Sequence, residues 1–133
     1  MSQFTSKPLL VRYGETDQMG VVHHSNYLRY FEVARLEWLT ELGVSYASME
    51  KEGLIMPVID VKVTYKTPAF FDDSLIINIF LSEPPRVKII FFYEIKNQKE
   101  EIICTGETTL AFLNSKTRKP VRCPEVFGAL FSV

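Results

Sequence analysis

The sequence has little cysteine and no excess of either charge. Its two cysteines, Cys104 and Cys123, stand too far apart for a CxxC site and are too few to frame a secreted disulfide scaffold. A reducing, cytoplasmic setting is therefore expected. Fifteen basic residues oppose sixteen acidic ones, a formal net charge of -1, so no field draws the chain to a nucleic-acid backbone or an anionic membrane. No run approaches the roughly 18 apolar residues of a membrane span. The start, MSQFTSKPLL, lacks the basic and apolar regions of a signal peptide. Repeats, linkers and low-complexity stretches are also missing, and the 133 residues read as one domain over 1–133.

What is present is apolar and patterned. A hydrophobic content of 47% is enough for one packed core. Residues 9–13 read as a short strand that breaks at Gly14. Residues 26–42, NYLRYFEVARLEWLTEL, hold no glycine or proline and run up to Gly43, as a helix does before its C-terminal glycine. Tyr27, Phe31, Ala34, Trp38 and Leu42 make one apolar face of it, and Leu28, Tyr30, Val33, Leu36 and Leu39 widen that face. Such a helix is expected to be largely enclosed, with Arg29, Glu32, Arg35, Glu37 and Glu41 on its surface and i,i+3 pairing among Arg29, Glu32 and Arg35. A brief second helix is expected over 45–51, closed by Gly53.

Beyond residue 58 the period becomes two. Ile59, Val61, Val63 and Tyr65 alternate with Asp60, Lys62, Thr64 and Lys66, the pattern of a half-buried strand, which Pro68 ends. Runs over 74–81, 86–96 and 101–114 read as further antiparallel strands, with turn chemistry at 83–85 and 97–99. Pro124 opens a short helix expected to reach Leu130. One strand, an enclosed helix and four more strands call for an α+β fold in which an antiparallel sheet curls around the helix.

Residues 15–27, ETDQMGVVHHSNY, contain both histidines of the chain. Metal binding is the weakest reading, because adjacent histidines diverge, no HxxxH or HExxH pattern exists, and catalytic zinc needs three protein ligands. A hydrolase triad lacks its GxSxG elbow. On pattern alone an ordinary turn serves well, with the Asp17 carboxylate on nearby N–H groups and Ser25 or Asn26 capping the helix.

The residues Tyr13-Gly14-Glu15-Thr16-Asp17, Gly20-Val21-Val22-His23-His24, Asn26-Tyr27 and Phe31-Glu32-Val33-Ala34-Arg35 resemble the signature of the 4-hydroxybenzoyl-CoA thioesterase family. They are similar in particular to its branch of short-chain acyl-CoA thioesterases associated with the Tol-Pal system. The likeness continues through Val63-Thr64-Tyr65-Lys66-Thr67-Pro68-Ala69 and Asp72-Asp73. It implies the hotdog fold, a five-stranded antiparallel sheet wrapped around a long central helix, and hydrolysis of short-chain or small aromatic acyl-CoA. It further implies Asp17 as general base or nucleophile, His24 at the helix start, Tyr13 as an active-site tyrosine, and Gly20, Val22, Asn26 and Tyr27 as substrate-binding residues. The chemistry suits these types. A thioester carbonyl needs an activated water or a carboxylate nucleophile, and N–H groups for its developing oxyanion. A helix start presents such groups, and Gly20 would let the chain approach closely. His23 and Cys104 are expected to be packing or surface residues.

No cofactor is implied, since coenzyme A belongs to the substrate. Acyl carrier protein is a further carrier of the same thioester. The resemblance also implies a homo-oligomer, dimer or tetramer, with residues 57–63 of one subunit completing the site of another. Rival readings are an acyl-CoA-binding module without catalysis, a hotdog dehydratase, and a 1,4-dihydroxy-2-naphthoyl-CoA hydrolase.

Overall fold

A computed structural model describes residues 2–131. The sheet contains β1 (Gln3–Thr5), β2 (Leu9–Leu10), β4 (Val58–Tyr65), β5 (Ser74–Phe80), β6 (Lys88–Lys96) and β7 (Ile102–Ala111), and a small second sheet pairs β3 (Leu54–Ile55) with β8 (Leu113–Asn114). Three helices accompany them: α1 (Asn26–Glu41), α2 (Tyr46–Lys51) and α3 (Glu125–Gly128). The main sheet runs β1-β5-β6-β7-β4, with β2 also on β5, and every pairing is antiparallel.

β1 and β2 share one strand position. Between them Ser6 keeps the ladder to β5 by donating its N–H to the Ile77 carbonyl (2.9 Å) and taking the Ile77 N–H on its hydroxyl (3.0 Å). Pro8, with no N–H to offer, follows the break. β1 was not foreseen, and the strand expected over 9–13 ends at Leu10. The Arg12 N–H is drawn off to the Glu15 carboxylate (2.8 Å), which closes a 3-10 turn, Tyr13–Glu15. The sheet thus has five positions and curls around α1, the hotdog arrangement that the resemblance implied.

The core forms where α1 meets the inner face of the sheet. Leu75, Ile77, Ile79, Ile89, Phe91, Tyr93 and Ile95 alternate inward along β5 and β6 and are buried, as period-two strands require. Phe31 stacks on Tyr93 with centroids 4.1 Å apart, while Trp38 meets Phe91 and Phe131 edge to face. α1 ends as its sequence requires, with Gly43 at φ 81°. α2 is capped by the Ser45 hydroxyl, which accepts the Ser48 N–H (3.2 Å).

Four expectations need correction. Arg35 is not a surface charge: 9% exposed, it donates to the Tyr93 hydroxyl (3.1 Å), which lies 2.6 Å from Thr108 Oγ1. The Glu32–Arg35 pair exists at 4.0 Å, but among the described residues Arg29 joins no ion pair. β4 is not half-buried, because it lies at the sheet's edge, where α1 covers it only in part, through Tyr27 on Tyr65. Ile59, Val61 and Tyr65 remain 58%, 37% and 53% exposed, and only Val63 is partly covered. The run over 101–114 splits at Phe112, which turns into the core, so that β8 leaves β6 and pairs with β3. Finally, α3 stops at Gly128, short of Leu130.

The seat of α1 on β7 has no slack. A Cβ at Gly106 would lie 2.6 Å from Cε2 and Cζ of Phe31 and 3.0 Å from the Lys62 carbonyl oxygen. Gly106→Ala is therefore expected to lower stability by about 1–3 kcal/mol through overpacking, read as a lower denaturant midpoint at unchanged slope.

Candidate functional site

The segment between the 3-10 turn and α1 doubles back on itself. Thr16 bridges Val22, the Asp17 N–H donates to the Val21 carbonyl (2.8 Å), and the Gly20 N–H returns to the Asp17 carbonyl (3.0 Å). Gly20 sits at φ 80° with nothing within 4 Å of where a Cβ would be. The reason for glycine visible in the chain is thus the left-handed backbone. The Val22 N–H donates to the Ala69 carbonyl (2.8 Å) and Val21 bridges Phe70, which ties the segment to the chain beyond β4.

Asp17 uses one carboxylate oxygen for this turn. Its Oδ1 accepts the Met19 N–H (2.8 Å) and the Val21 N–H (3.4 Å), whereas Oδ2 accepts no hydrogen bond among the described residues. The turn reading and an active carboxylate are therefore compatible: one oxygen holds the loop and the other is open.

α1 begins without a side-chain cap, contrary to expectation. Ser25 has helical dihedrals and caps nothing; its hydroxyl lies 2.8 Å from His23 Nδ1, which also accepts the Ser25 N–H (3.2 Å). The Asn26 side chain donates to the Glu15 carbonyl (2.8 Å). The Asn26 and Tyr27 N–H groups reach back to the carbonyls of His23 and His24. The His24 N–H has no acceptor among the described residues, an orphan donor at a helix start.

Asp17, Val22, His24 and Tyr27 line one open cavity of about 310 Å³, together with Val21, Tyr65, Lys66, Thr67 and Pro68. Four of the seven expected site residues thus meet. Gly20 stays in the turn, Asn26 holds Glu15, and Tyr13 lies aside, 75% exposed with its ring edge on Phe71 at 5.7 Å. Burial pushes the Tyr27 hydroxyl up to about 12, so it stays protonated as a donor. His23 is exposed and its ring lies 4.2 Å from that of His24. Cys104 is buried, and burial alone raises its thiol to about 12, which leaves an inert thiol. No three His, Cys, Asp or Glu among the described residues cluster as metal ligands.

Lys66, Thr67 and Pro68 were not read as site residues, although they stand in the stretch that carried the resemblance. Their N–H groups at 66 and 67 share the Ile103 carbonyl (2.9 and 3.1 Å), which turns the chain after β4 toward the cavity. Glu15 was missed as well. Its carboxylate accepts the Arg12 N–H (2.8 Å), the Arg12 guanidinium (3.0 and 3.2 Å) and the Tyr30 hydroxyl (2.9 Å). Burial by itself would raise its pKa, but these donors outweigh it and hold the carboxyl below its ordinary value.

Residues 11–131 match the Thioesterase-like superfamily. The acyl-CoA thioesterase YbgC of Helicobacter pylori (strain J99) is 31% identical over 130 residues, 92% of this chain and 96% of that protein. The acyl-CoA thioester hydrolase YbgC of Escherichia coli O6:H1 is 28% identical over 124 residues, 93% and 92% of the two chains. The structure of a DHNA-CoA thioesterase from Staphylococcus aureus superposes with a TM-score of 0.86 at 41% identity, covering 92% of this chain and 81% of that one. Among the described residues no helix is long and apolar enough to cross a membrane.

The lowered Glu15 pKa has a sign that can be tested. A carboxylate depressed on folding contributes stability above its unfolded value and loses it as pH falls through the folded one. Wild type is therefore expected to shed, below the ordinary carboxylate range, an increment of stability that Glu15→Gln never has. Thermal melts of both chains across acid pH check this, and the difference between them should shrink as pH falls.

Proposed function

Because the chain belongs to the Thioesterase-like superfamily, we propose that it hydrolyses the thioester of a short-chain or small aromatic acyl-CoA to the free acid and coenzyme A. One observation carries this reading: the open Oδ2 of Asp17 and the unpaired N–H of His24 belong to residues that line one cavity. In the general-base route, Asp17 takes a proton from water as the water oxygen bonds to the thioester carbon. The carbonyl electrons move onto oxygen, where the His24 N–H receives the charge at the positive end of α1. Collapse breaks the C–S bond, and the thiolate leaves and takes up a proton. In the nucleophilic route the carboxylate itself attacks the thioester carbon, the C–S bond breaks and the coenzyme A thiolate leaves, and water then cleaves the mixed anhydride to the free acid and the Asp17 carboxylate. Both routes need Asp17 ionised.

The 41% identity to a DHNA-CoA thioesterase favours a second reading, the hydrolysis of 1,4-dihydroxy-2-naphthoyl-CoA. A panel of short aliphatic and aromatic acyl-CoAs, with acyl carrier protein thioesters alongside, separates the two by kcat/KM. Tight acyl-CoA binding without thiol release would instead make the chain an acyl-binding module.

Asp17→Asn keeps a turn acceptor while removing the charge. It is expected to spare the thermal melt and acyl-CoA affinity and to cut turnover by roughly 10²-fold to 10⁴-fold. A variant as fast as wild type rejects Asp17 as the catalytic group. His24→Tyr preserves the backbone N–H. Much of the turnover should survive if the N–H alone matters, whereas a loss on the order of 10²-fold with the fold intact assigns acid–base work to the imidazole.

The chain is further proposed to be a homo-oligomer, dimer or tetramer, paired through β4, with residues 57–63 of a second copy completing the cavity. Support comes from β4 itself, an edge strand whose backbone groups lack a neighbour on one side and whose Ile59, Val61 and Tyr65 stay exposed. Light scattering is expected to give at least twice 15.4 kDa. A fully active monomer at micromolar concentration overturns this assembly.

A further inference from the structure

Glu15 stands two residues before Asp17, touches neither His24 nor the cavity, and yet gathers more hydrogen bonds than any other residue of the loop. Its carboxylate takes donors from Arg12 on one side and from Tyr30 on the other. Its carbonyl takes two more, from the Asn26 side chain (2.8 Å) and the His23 N–H (2.9 Å). Asn26 and Tyr30 are four residues apart and so lie one turn apart on one face of α1. Side chain and main chain of a single residue thus clip the loop to the first turn and a half of the helix.

The three ties act on both groups of the site. The His23 N–H bond to Glu15 fixes the strand that leads into the His23–His24 peptide, and so the direction of the unpaired His24 N–H. Thr16 and Asp17 follow Glu15 directly in a turn already closed by the bonds to Val21 and Gly20. On its far side that turn is held through Val22 to Ala69 and Val21 to Phe70, which are contacts to the connection between β4 and β5 and not to α1. Glu15 is therefore where the loop bearing the carboxylate is referenced to the helix that begins just after the oxyanion donor. Its side chain is only 14% exposed, so water competes weakly for these bonds.

We propose that Glu15 is a positioning residue of the hydrolase, which through Tyr30 and Asn26 holds Asp17 and the His24 N–H at the mutual placement that the reaction needs. This rests on the thioesterase reading. Because the ties act on the reacting geometry and not on the cavity walls, their loss falls on kcat and not on KM.

The test uses the full chain as wild type, Glu15→Gln, Tyr30→Phe and the double variant. Glu15→Gln keeps the size of the side chain but not its acceptor pair, and Tyr30→Phe removes one hydroxyl from a residue that stays packed. Each single variant is expected to lower kcat about tenfold or more with KM within about threefold. The double variant should be no worse than about threefold below the weaker single one, since both changes cut the same tie. Losses that multiply, a kcat left within twofold of wild type in Glu15→Gln, or losses that fall on KM alone overturn the proposal. A second measurement needs no acyl-CoA: hydrogen exchange at the amides of Asp17, Gly20 and His23 should quicken about tenfold or more in both single variants, while Phe91 and Tyr93 on β6 keep their protection. Unchanged exchange at the loop means that no such tie exists, even where the enzyme is active. A wild-type chain that releases no thiol from any acyl-CoA instead overturns the thioesterase reading, and the exchange result then stands as a statement about the loop alone.

Discussion

The rest of the structure depends on how closely α1 lies against the sheet. At Gly106 the ring of Phe31 occupies the space that a side chain on β7 would fill, and the same ring stacks on Tyr93 of β6. One aromatic residue therefore sets the height of the helix over two strands. With its 16 residues, α1 is about 24 Å long at 1.5 Å per residue, so fixing its middle fixes where its first turn arrives. The His24 N–H lies two residues before that turn. The packing of the core and the position of the candidate oxyanion donor are in this sense one constraint, and burial of Phe31 alone contributes about 1.5–3 kcal/mol toward it.

The loop before α1 is built on different physics. It buries little apart from Val22 and is held by hydrogen bonds, many of them from backbone groups to Asp17 and Glu15. The two acids divide the work. Asp17 spends one oxygen on its own turn and keeps the other open, while Glu15 spends its carboxylate on Arg12 and Tyr30. Two acids only two residues apart thus have different surroundings: both oxygens of Glu15 are taken, and one of Asp17 is not.

β4 shows the same economy at the other side of the cavity. Its Tyr65 packs on Tyr27 at 5.5 Å and lines the cavity, while Val61 and Ile59 stay 37% and 58% exposed. β4 is an edge strand with one apolar face that α1 covers only in part, and the cavity beside it is open.

The sequence by itself determined the long helix and the main strands in their order, but not β1, β3 or β8. A glycine-free apolar run had to be a helix ending at Gly43, and alternating β-branched runs had to be strands, because periodicity and backbone propensity are local properties; the full enclosure expected of that helix is not found, since Leu28, Val33 and Leu36 stay exposed. Asp17, Val22, His24 and Tyr27 were legible as a group through the resemblance. Tertiary structure alone decided what each side chain faces. Arg35 reads as a surface charge until Tyr93, 58 residues away, supplies an acceptor in the core. The alternation of β4 reads as half-buried until the sheet order makes it an edge. Asn26 reads as a cap or a ligand-facing amide until the Glu15 carbonyl claims it, and Glu15 shows no role until Tyr30 comes round on the helix to meet it. A local pattern states what a residue can bond, but its partner is chosen by the packing of distant segments, and only the closed fold brings those segments within hydrogen-bonding reach.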